Sequence, residues 1–308
     1  MFIRSPFALF IMAVGVAAFS VCLVSCSPED VDDSTTGGSE EAVACIESGD
    51  IVVTNSGSDA LVVFNPDGTY KSTPFYVSSA TENLYGVTWS SLTGEILIVV
   101  DGVDRVVALN PEDCSTRTVI LDANFTGTVR GITQLTSGDI LLSENNNIER
   151  FGSNGNRVTS GWPLAAQSAA TGLSALANGG FVHCSTTTDV VRTYSSTGVQ
   201  AATRSSGIAA TTDAMDCFVM GSGNIATAWS GTTDTVSIYS SALSPVASYS
   251  NTAYLGAPGG IAQRANDGNL LVVDRIYNHV VEITNTGTFV GTFGSGILST
   301  PEFILVIP

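Results

Sequence analysis

The sequence predicts an all-β protein, a β-propeller of six blades with four antiparallel strands each, its ring closed by the C-terminal strand. Three observations carry that prediction. Landmark residues recur roughly every 44 positions, one stretch spells out a whole four-stranded unit, and the chain ends on a strand with no hairpin partner after it.

The stretch from Gly259 to Phe293 shows the unit in full. Ile261-Ala262-Gln263 is a short apolar run, Asp267-Gly268-Asn269 a turn, and Leu270 to Asp274 a β-rich strand. Arg275 to Asn278 turns again, His279 to Ile283 makes a third strand, Thr286-Gly287 turns, and Thr288 to Phe293 makes a fourth. Short strands joined by Gly, Asn and Asp turns form an antiparallel meander.

The rest of the chain repeats this unit. The glycine that opens the second strand recurs as Gly49, Gly94, Gly138, Gly179, Gly223 and Gly268, at spacings of 45, 44, 41, 44 and 45. The third strand ends at Phe64, Leu109, Phe151, Tyr194, Tyr239 and Ile283, and five positions before each stands Asp59, Asp104, Asn146, Asp189, Asp234 or Asn278. Short Asp and Asn side chains hydrogen-bond nearby amides and tolerate tight turns, so this position needs them mechanically. The next turn recurs as Asn65-Pro66-Asp67-Gly68, Asn110-Pro111-Glu112-Asp113, Ser153-Asn154-Gly155, Ser196-Thr197-Gly198 and Asn285-Thr286-Gly287, while the fifth copy, Ser240-Ser241-Ala242-Leu243, departs from it.

A period near 44 residues with four strands per unit is that of a propeller blade. The chain of 308 residues exceeds the size at which one compact core stops growing, and a repeat array resolves this because each unit packs only on its neighbours. An open solenoid meets the same local pattern, but its end units need polar caps, and the end repeats show none. Thr300 to Val306 reads as the first strand of a blade and is expected to complete blade 1; Ala42 to Ile46 is the alternative source of that strand.

Composition narrows the partners. The formal net charge is −17 and Lys71 is the only lysine, so clustered cations for binding phosphate backbones are missing and nucleic acid is excluded. A monomer kept soluble by its acidic surface is expected. Glu29, Asp30, Asp32, Asp33, Glu40 and Glu41 all precede the first repeat, and residues 26–41 read as a flexible tether that cannot bury enough to fold. Before them, Arg4 is followed by an apolar run from Phe7 to Val24, the pattern of a secretory signal over residues 1–25. Its end, Leu23-Val24-Ser25-Cys26, resembles the lipobox of bacterial lipoproteins. The resemblance implies cleavage before Cys26, a diacylglyceryl thioether on its sulfur and acylation of the new amino group with palmitate-type chains. Several acyl chains anchor stably where one does not. Ser27 after the cysteine, rather than Asp, resembles an outer-membrane address, with the periplasmic or surface face left open.

The last unit, Gly268-Asn269-Leu270-Leu271-Val272-Val273-Asp274 through Asn278-His279-Val280 to Gly291-Thr292-Phe293, resembles an NHL repeat of the six-bladed, TolB-like propellers. Val280 replaces the usual leucine, and the other five units lack the histidine. The resemblance implies the architecture over residues 42–308 and little about function, because that group includes enzymes, receptors and scaffolds.

Candidate chemistry lies at the channel mouth, where the first strand of each blade begins. The aligned starts are Tyr85, Arg130, Thr171, Met215, Gly259 and Glu302, with Asp213 and Asp216 nearby. An arginine, acids and a tyrosine around one concave mouth can hold a small polar ligand; an Arg–carboxylate pairing across the channel is the structural alternative. Six-bladed gluconolactonases and sugar-lactone hydrolases resemble this chain and place a divalent metal at the mouth on Glu, Asn and Asp. That resemblance implies Glu302 and Asp213 or Asp216 as oxygen ligands of a Ca²⁺-type ion, against which Arg130 and Thr171 stand where an Asn is needed. No other cofactor is indicated. There is no Gly-x-Ser-x-Gly, His-Glu-x-x-His, Cys-x-x-Cys or phosphate-binding Gly-Lys loop, and His183 and His279 fall in different blades. Trp89, Trp162 and Trp229 sit at strand ends and are expected to pack between blades.

With Cys22 in the signal and Cys26 lipidated, four cysteines remain. Cys184–Cys217 on adjacent blades and Cys45–Cys114 are the expected disulfides, with buried free thiols as the alternative. The expected function is non-catalytic: a lipid-anchored binding or scaffold module for an envelope protein or a small polar ligand, with the metal-dependent lactone hydrolase as the alternative.

Overall fold

Successive side chains of a strand point to opposite faces, and in the second strands of these repeats both sets are apolar. In Leu270–Asp274, Leu270 and Val272 pack toward one neighbouring repeat while Leu271 and Val273 pack toward the other. Such a strand must be covered on both sides, which one repeat cannot do by itself.

The computed structural model describes residues 45–76, 82–103, 105–122, 125, 127–165, 167, 169–205 and 212–308. The signal, Cys26 and the tether expected from the sequence lie outside the described residues, as does Asp104. Every element among the described residues is a strand. Blade 1 holds β1 (Ile51–Asn55), β2 (Ala60–Phe64) and β3 (Tyr70–Tyr76); blade 2 holds β4 (Asn83–Ser90), β5 (Glu95–Asp101), β6 (Arg105–Leu109) and β7 (Thr116–Leu121). Blade 3 has β8 (Val129–Gln134), β9 (Ile140–Glu144) and β10 (Asn147–Phe151), and blade 4 has β11 (Ala170–Ala175), β12 (Phe181–Ser185), β13 (Val190–Tyr194) and β14 (Gln200–Ser205). Blade 5 follows with β15 (Thr212–Val219), β16 (Ile225–Gly231), β17 (Thr235–Tyr239) and β18 (Pro245–Tyr249). Blade 6 has β19 (Pro258–Gln263), β20 (Leu270–Asp274), β21 (His279–Ile283) and β22 (Phe289–Phe293), and the chain ends with β23 (Pro301–Val306).

That last strand decides the ring. β23 pairs antiparallel with β1, Ile51 opposite Val306 and Val53 opposite Ile304, and so supplies the first strand of blade 1. The innermost strands β23, β4, β8, β11, β15 and β19 each touch the next, and β19 returns to β23. The first-strand place of blade 1 is thus taken by β23; of the alternative segment 42–46, residues 42–44 lie outside the described residues, and Cys45 and Ile46 donate their amides to the carbonyls of Glu112 and Pro111 in blade 2.

The core lies between the blades rather than within them. Six apolar clusters fill the six seams, one per pair of neighbouring blades. Val182 and Val191 meet Ile225 and Trp229 between blades 4 and 5; Ile51, Val53 and Phe64 meet Leu271, Val273 and Val280 between blades 1 and 6. Trp229 is fully buried, and Trp162 and Trp89 pack in their own seams. The outer strands β14, β18 and β22 have only one such face to cover and carry exposed residues between less exposed ones.

Blade 3 departs from the four-strand rule. Its sheet has three strands, and the outer position is taken by an irregular segment joined to β10 by isolated bridges at Ile148–Leu164 and Phe151–Arg157 and by the Val158 amide donating to the Arg150 carbonyl. Pro163 lies in that segment and has no amide to give to a ladder. Side chains complete the edge: Arg157 pairs with Asp122 at 2.7 Å and with buried Glu149.

The recurrent Asp and Asn residues do turn work. Asp59, Asp189 and Asn278 take left-handed φ of 51°, 51° and 53°, and Asn278 Oδ1 accepts the Thr300 amide at 2.6 Å. In the turn after the third strand that left-handed place belongs to glycine in four blades, to Cys114 (φ 56°) in blade 2 and to Leu243 (φ 59°) in blade 5. Each exception has a tie of its own: Cys114 is bonded to Cys45, and Leu243 is buried in the seam between blades 4 and 5.

Cys45–Cys114 forms with Cα atoms 5.8 Å apart across 69 residues of chain, a loop whose closure is worth about 4 kcal/mol in the chain-entropy account. The Cys184–Cys217 bond expected from the sequence is absent. Both are free, fully buried thiols in the seam between blades 4 and 5, where Cys217 Sγ donates to the Gly172 carbonyl at 3.5 Å and both pack as small apolar residues.

Because the ring closes through β23, its buried side chains carry more than their share of stability. Ile304→Ala, in the seam between blades 1 and 6, is expected to lower the unfolding free energy by about 2–5 kcal/mol. Val290→Ala on the exposed outer strand of the neighbouring blade is expected to change it by less than about 0.5 kcal/mol. Urea denaturation of the two variants checks this, and equal midpoints would contradict closure by the tail.

Candidate functional site

Every innermost strand carries an irregularity at the same place. The register slips between Leu84 and Val87 in β4, Val129 and Ile132 in β8, Ala170 and Leu173 in β11, Ala214 and Asp216 in β15, and Pro258 and Ile261 in β19. A bulge bends its strand and re-aims the side chains beside it. In blades 2, 3, 4 and 6 a glycine occupies it: Gly86, Gly131, Gly172 and Gly260. The need is steric. A Cβ on Gly131 would collide with the carbonyl oxygen of Thr171, and one on Gly172 with Asp216, so the inner strands approach too closely for any side chain. Tyr85, Arg130 and Thr171 each stand one residue before such a glycine.

Around the mouth these positions enclose a cavity of about 380 Å³. Thr128, Arg130 and Asn145 come from blade 3, Ala169, Thr171 and Thr186 from blade 4, Asp213 and Met215 from blade 5, and Arg275 from blade 6. Arg130 lays its guanidinium over the Tyr85 ring, 5.1 Å from the centroid, and forms no ion pair among the described residues. Arg275 is engaged: Nη1 lies 3.6 Å from Glu302 Oε2, and Nη2 lies 3.9 Å from Met215 Sδ. Glu302, nearly buried, also accepts the Ser56 hydroxyl at 3.2 Å. Burial pushes its carboxyl above the usual range, against the pull of Arg275 and Arg130. Asp101 is raised by burial while its Oδ1 accepts the Val129 amide at 3.2 Å. Asp213 accepts no hydrogen bond among the described residues; burial and then the charge of Asp189 push its pKa up, and Arg275 opposes them.

Of the residues placed at the mouth from the sequence, Arg130, Thr171, Asp213 and Met215 line one cavity, Tyr85 supports Arg130, and Glu302 stands behind Arg275. Thr171 is largely spent on structure, its hydroxyl donating to the Ala214 carbonyl at 2.9 Å. Asp216 is not at the mouth. The bulge in β15 leaves Met215 facing the cavity and turns Asp216 into the ring, where Oδ1 accepts the Cys217 amide at 2.8 Å and Oδ2 the Ile261 amide at 2.9 Å. It lines a narrow internal space of about 70 Å³ beside Ile261 and Phe303 and ties blade 5 to blade 6.

Sequence reasoning missed Arg275, Asn145 and Thr186. They share a column, the first residue after the second strand of their blades, as does Ser56 in blade 1. Aligning that column, rather than only the starts of the first strands, would have found them.

The lactonase-type metal site does not fit these side chains. Among the described residues no group of three His, Cys, Asp or Glu is placed to hold an ion. Glu302 is committed to Arg275, Asp216 points inward to backbone amides, and the mouth itself carries two guanidinium groups. The histidines lie elsewhere: His279 Nε2 donates to the Tyr254 carbonyl at 2.8 Å, and His183 is fully buried with neither ring nitrogen bonded.

No protein family matches the chain, and no curated protein does. Solved structures share its fold. A chain of the nidogen–laminin complex superimposes with a TM-score of 0.70 at 12% identity, covering 84% of this chain and 98% of that one. A protein of unknown function from Bacteroides caccae gives 0.65 at 14% identity, with 85% and 99% covered. Virginiamycin B lyase from Staphylococcus aureus gives 0.59 at 16% identity, with 73% and 74% covered. At these identities the likeness establishes the six-bladed propeller and not an activity.

Two buried groups give the stability opposing pH slopes. Burial, then the charge of Arg192, lowers His183 to about 3 from 6.5, so it stays neutral in the fold, and its contribution is lost as the pH falls from 6.5 toward 3. Burial raises Asp216 from 3.8 to about 7, so it stays protonated in the fold, and its contribution is lost as the pH rises from 3.8 toward 7. Each effect is on the order of 4 kcal/mol, and between pH 3.8 and 6.5 they largely cancel. Urea midpoints measured across that window are expected to rise with pH in Asp216→Asn and to fall with pH in His183→Leu, whatever the constant offset of either variant. Parallel slopes in both would contradict the assignment.

Proposed function

We propose that this protein is a non-catalytic binding module of a bacterial cell envelope, held to a membrane by lipid on Cys26 and recognising a small polar ligand at the channel mouth. The observation that carries the binding reading is the cavity over blades 3 to 6, with an arginine whose hydrogen-bonding edge has no protein partner among the described residues. Preformed concave sites with a few convergent polar groups are where small ligands bind. Thr128, Asn145 and Thr186 add donors and acceptors of either sense around it. The mouth offers no paired nucleophile and base, and the two histidines stand away from it, so catalysis is not the reading favoured. The likeness to a lyase rests on shared blades and brings no residue to this mouth.

The envelope reading rests on Leu23-Val24-Ser25-Cys26 after an apolar run, and on its resemblance to a lipobox. The acidic tether would hold the propeller off the bilayer as a separate domain, with an outer-membrane address favoured by Ser27. The Cys45–Cys114 disulfide supports it as well, since such bonds persist in oxidising compartments. The resemblance to NHL repeats of the TolB-like propellers is close in motif in blade 6 alone.

Two experiments test this. Expressed in a bacterium with an alkyne-tagged fatty acid, the full chain is expected to carry label and sediment with membranes, and Cys26→Ala to lose both; unlabelled wild-type chain would overturn the anchor. A thermal-shift screen of the purified chain against a library of polar metabolites tests the mouth. A binder at a hundred times its Kd adds about 2.7 kcal/mol of stability, and Arg130→Gln should abolish that shift. Hits that stabilise both proteins equally would place binding elsewhere.

A further inference from the structure

The mouth carries two charges of opposite sign that do not neutralise each other. Arg130 stands on the blade 3 wall with its flat face against Tyr85. Stacking uses the face of a guanidinium and leaves its edge of N–H donors pointing away in the ring plane. The carboxylates whose fields reach it are engaged elsewhere: Glu302 with Arg275 and Ser56, and Asp101 with the Val129 amide. Asp213 stands on the blade 5 wall, exposed, with no hydrogen bond among the described residues. Arg275, the cation whose charge reaches it, is held by Glu302 and Met215. Between the two walls blade 4 presents Thr171 and Thr186 and the small Ala169, a floor that is polar yet uncharged.

An anion alone would satisfy Arg130 but meet Asp213, and a cation alone would do the reverse. A molecule with a carboxylate at one end and an ammonium at the other satisfies both, each by a charge-assisted hydrogen bond, the stronger kind. We propose that the mouth binds a small zwitterion, an amino acid or short peptide with both ends free, its carboxylate on Arg130, its ammonium on Asp213, and its body across blade 4. This rests on the mouth-binding reading above and names the ligand class for it. The cavity of about 380 Å³ suits a ligand of that size.

Isothermal titration of the purified full chain tests it with defined probes. L-Alanine, ε-aminocaproate and trialanine are zwitterions of increasing charge separation; N-acetyl-trialanine keeps only the carboxylate, and trialanine amide only the ammonium. The expected result is that at least one zwitterion binds, and that trialanine binds at least roughly tenfold more tightly than either blocked form, one full charge-assisted contact. Arg130→Gln should then remove the advantage of trialanine over its amide, and Asp213→Asn its advantage over the N-acetyl form. Neither side chain is fully buried, and neither is ion-paired among the described residues, so unchanged thermal midpoints show that both variants fold. Arg130→Lys, which keeps the charge, should recover part of the binding. If the blocked forms bind as well as trialanine, or only the N-acetyl form binds, the zwitterion is overturned while a binding mouth stands. If no probe binds, the zwitterion is overturned, and the metabolite screen alone decides whether the mouth binds anything.

Discussion

One constraint organises the molecule: a blade is a single twisted sheet with two apolar faces, and it can cover neither by itself. The six apolar clusters all lie in seams between neighbouring blades. A row of such sheets would leave an apolar face bare at each end, exposing area worth roughly 25 cal/mol for every Å² left in water. Closing the row removes both ends together. The seam between blades 1 and 6 is thus a core like the others, and β23 is the piece of chain that lets the first blade take part in it.

Closure also builds the mouth. Six sheets meeting around one axis crowd their innermost strands, and the crowding is relieved by bulges that admit only glycine in four blades. In blades 3, 4 and 5 the bulge turns Arg130, Thr171 and Met215 toward the mouth, so packing and site geometry share one cause. The link is tightest where the ring joins. Arg275 of blade 6 pairs with Glu302 on the terminal strand, and Ser56 of blade 1 holds the same carboxylate. One wall of the cavity is therefore fastened by side chains from both ends of the ring. The pairing matters for electrostatics too, since it occupies the cation whose charge reaches Asp213 and, among the described residues, leaves Arg130 with the Tyr85 ring alone.

Departures from the repeat have local reasons. Cys114 and Leu243 both accept a left-handed backbone where other blades use glycine, one tied by a disulfide and the other by burial. Blade 3 gives up a regular outer strand, and the ion pairs of Arg157 take over at that edge. Cys184 and Cys217, neighbours across a seam, remain thiols. Sequence spacing placed them close, but it could not distinguish a bond from two small side chains packed side by side.

The sequence by itself determined the blade count, the turns and an unpaired C-terminal strand as the first candidate to close the ring, with 42–46 left as the alternative that only the structure removed. All three rest on local chemistry: alternation of apolar residues, glycine and Asx at turns, and a strand left without a hairpin partner. It also brought Arg130, Thr171 and Asp213 to notice, because counting from repeat landmarks finds the start of each inner strand. What it could not decide was the direction of side chains beside an irregular backbone. Asp216 and Met215 differ by one position, and the bulge in β15 sends the first into the ring and the second to the mouth. Arg275 read as a turn residue until the blades were set around an axis. The pairing of Arg275 with Glu302, and the freedom of Arg130 that follows, join residues far apart in the chain. Only the closed ring puts them within reach, because those distances are set by how six sheets share their faces.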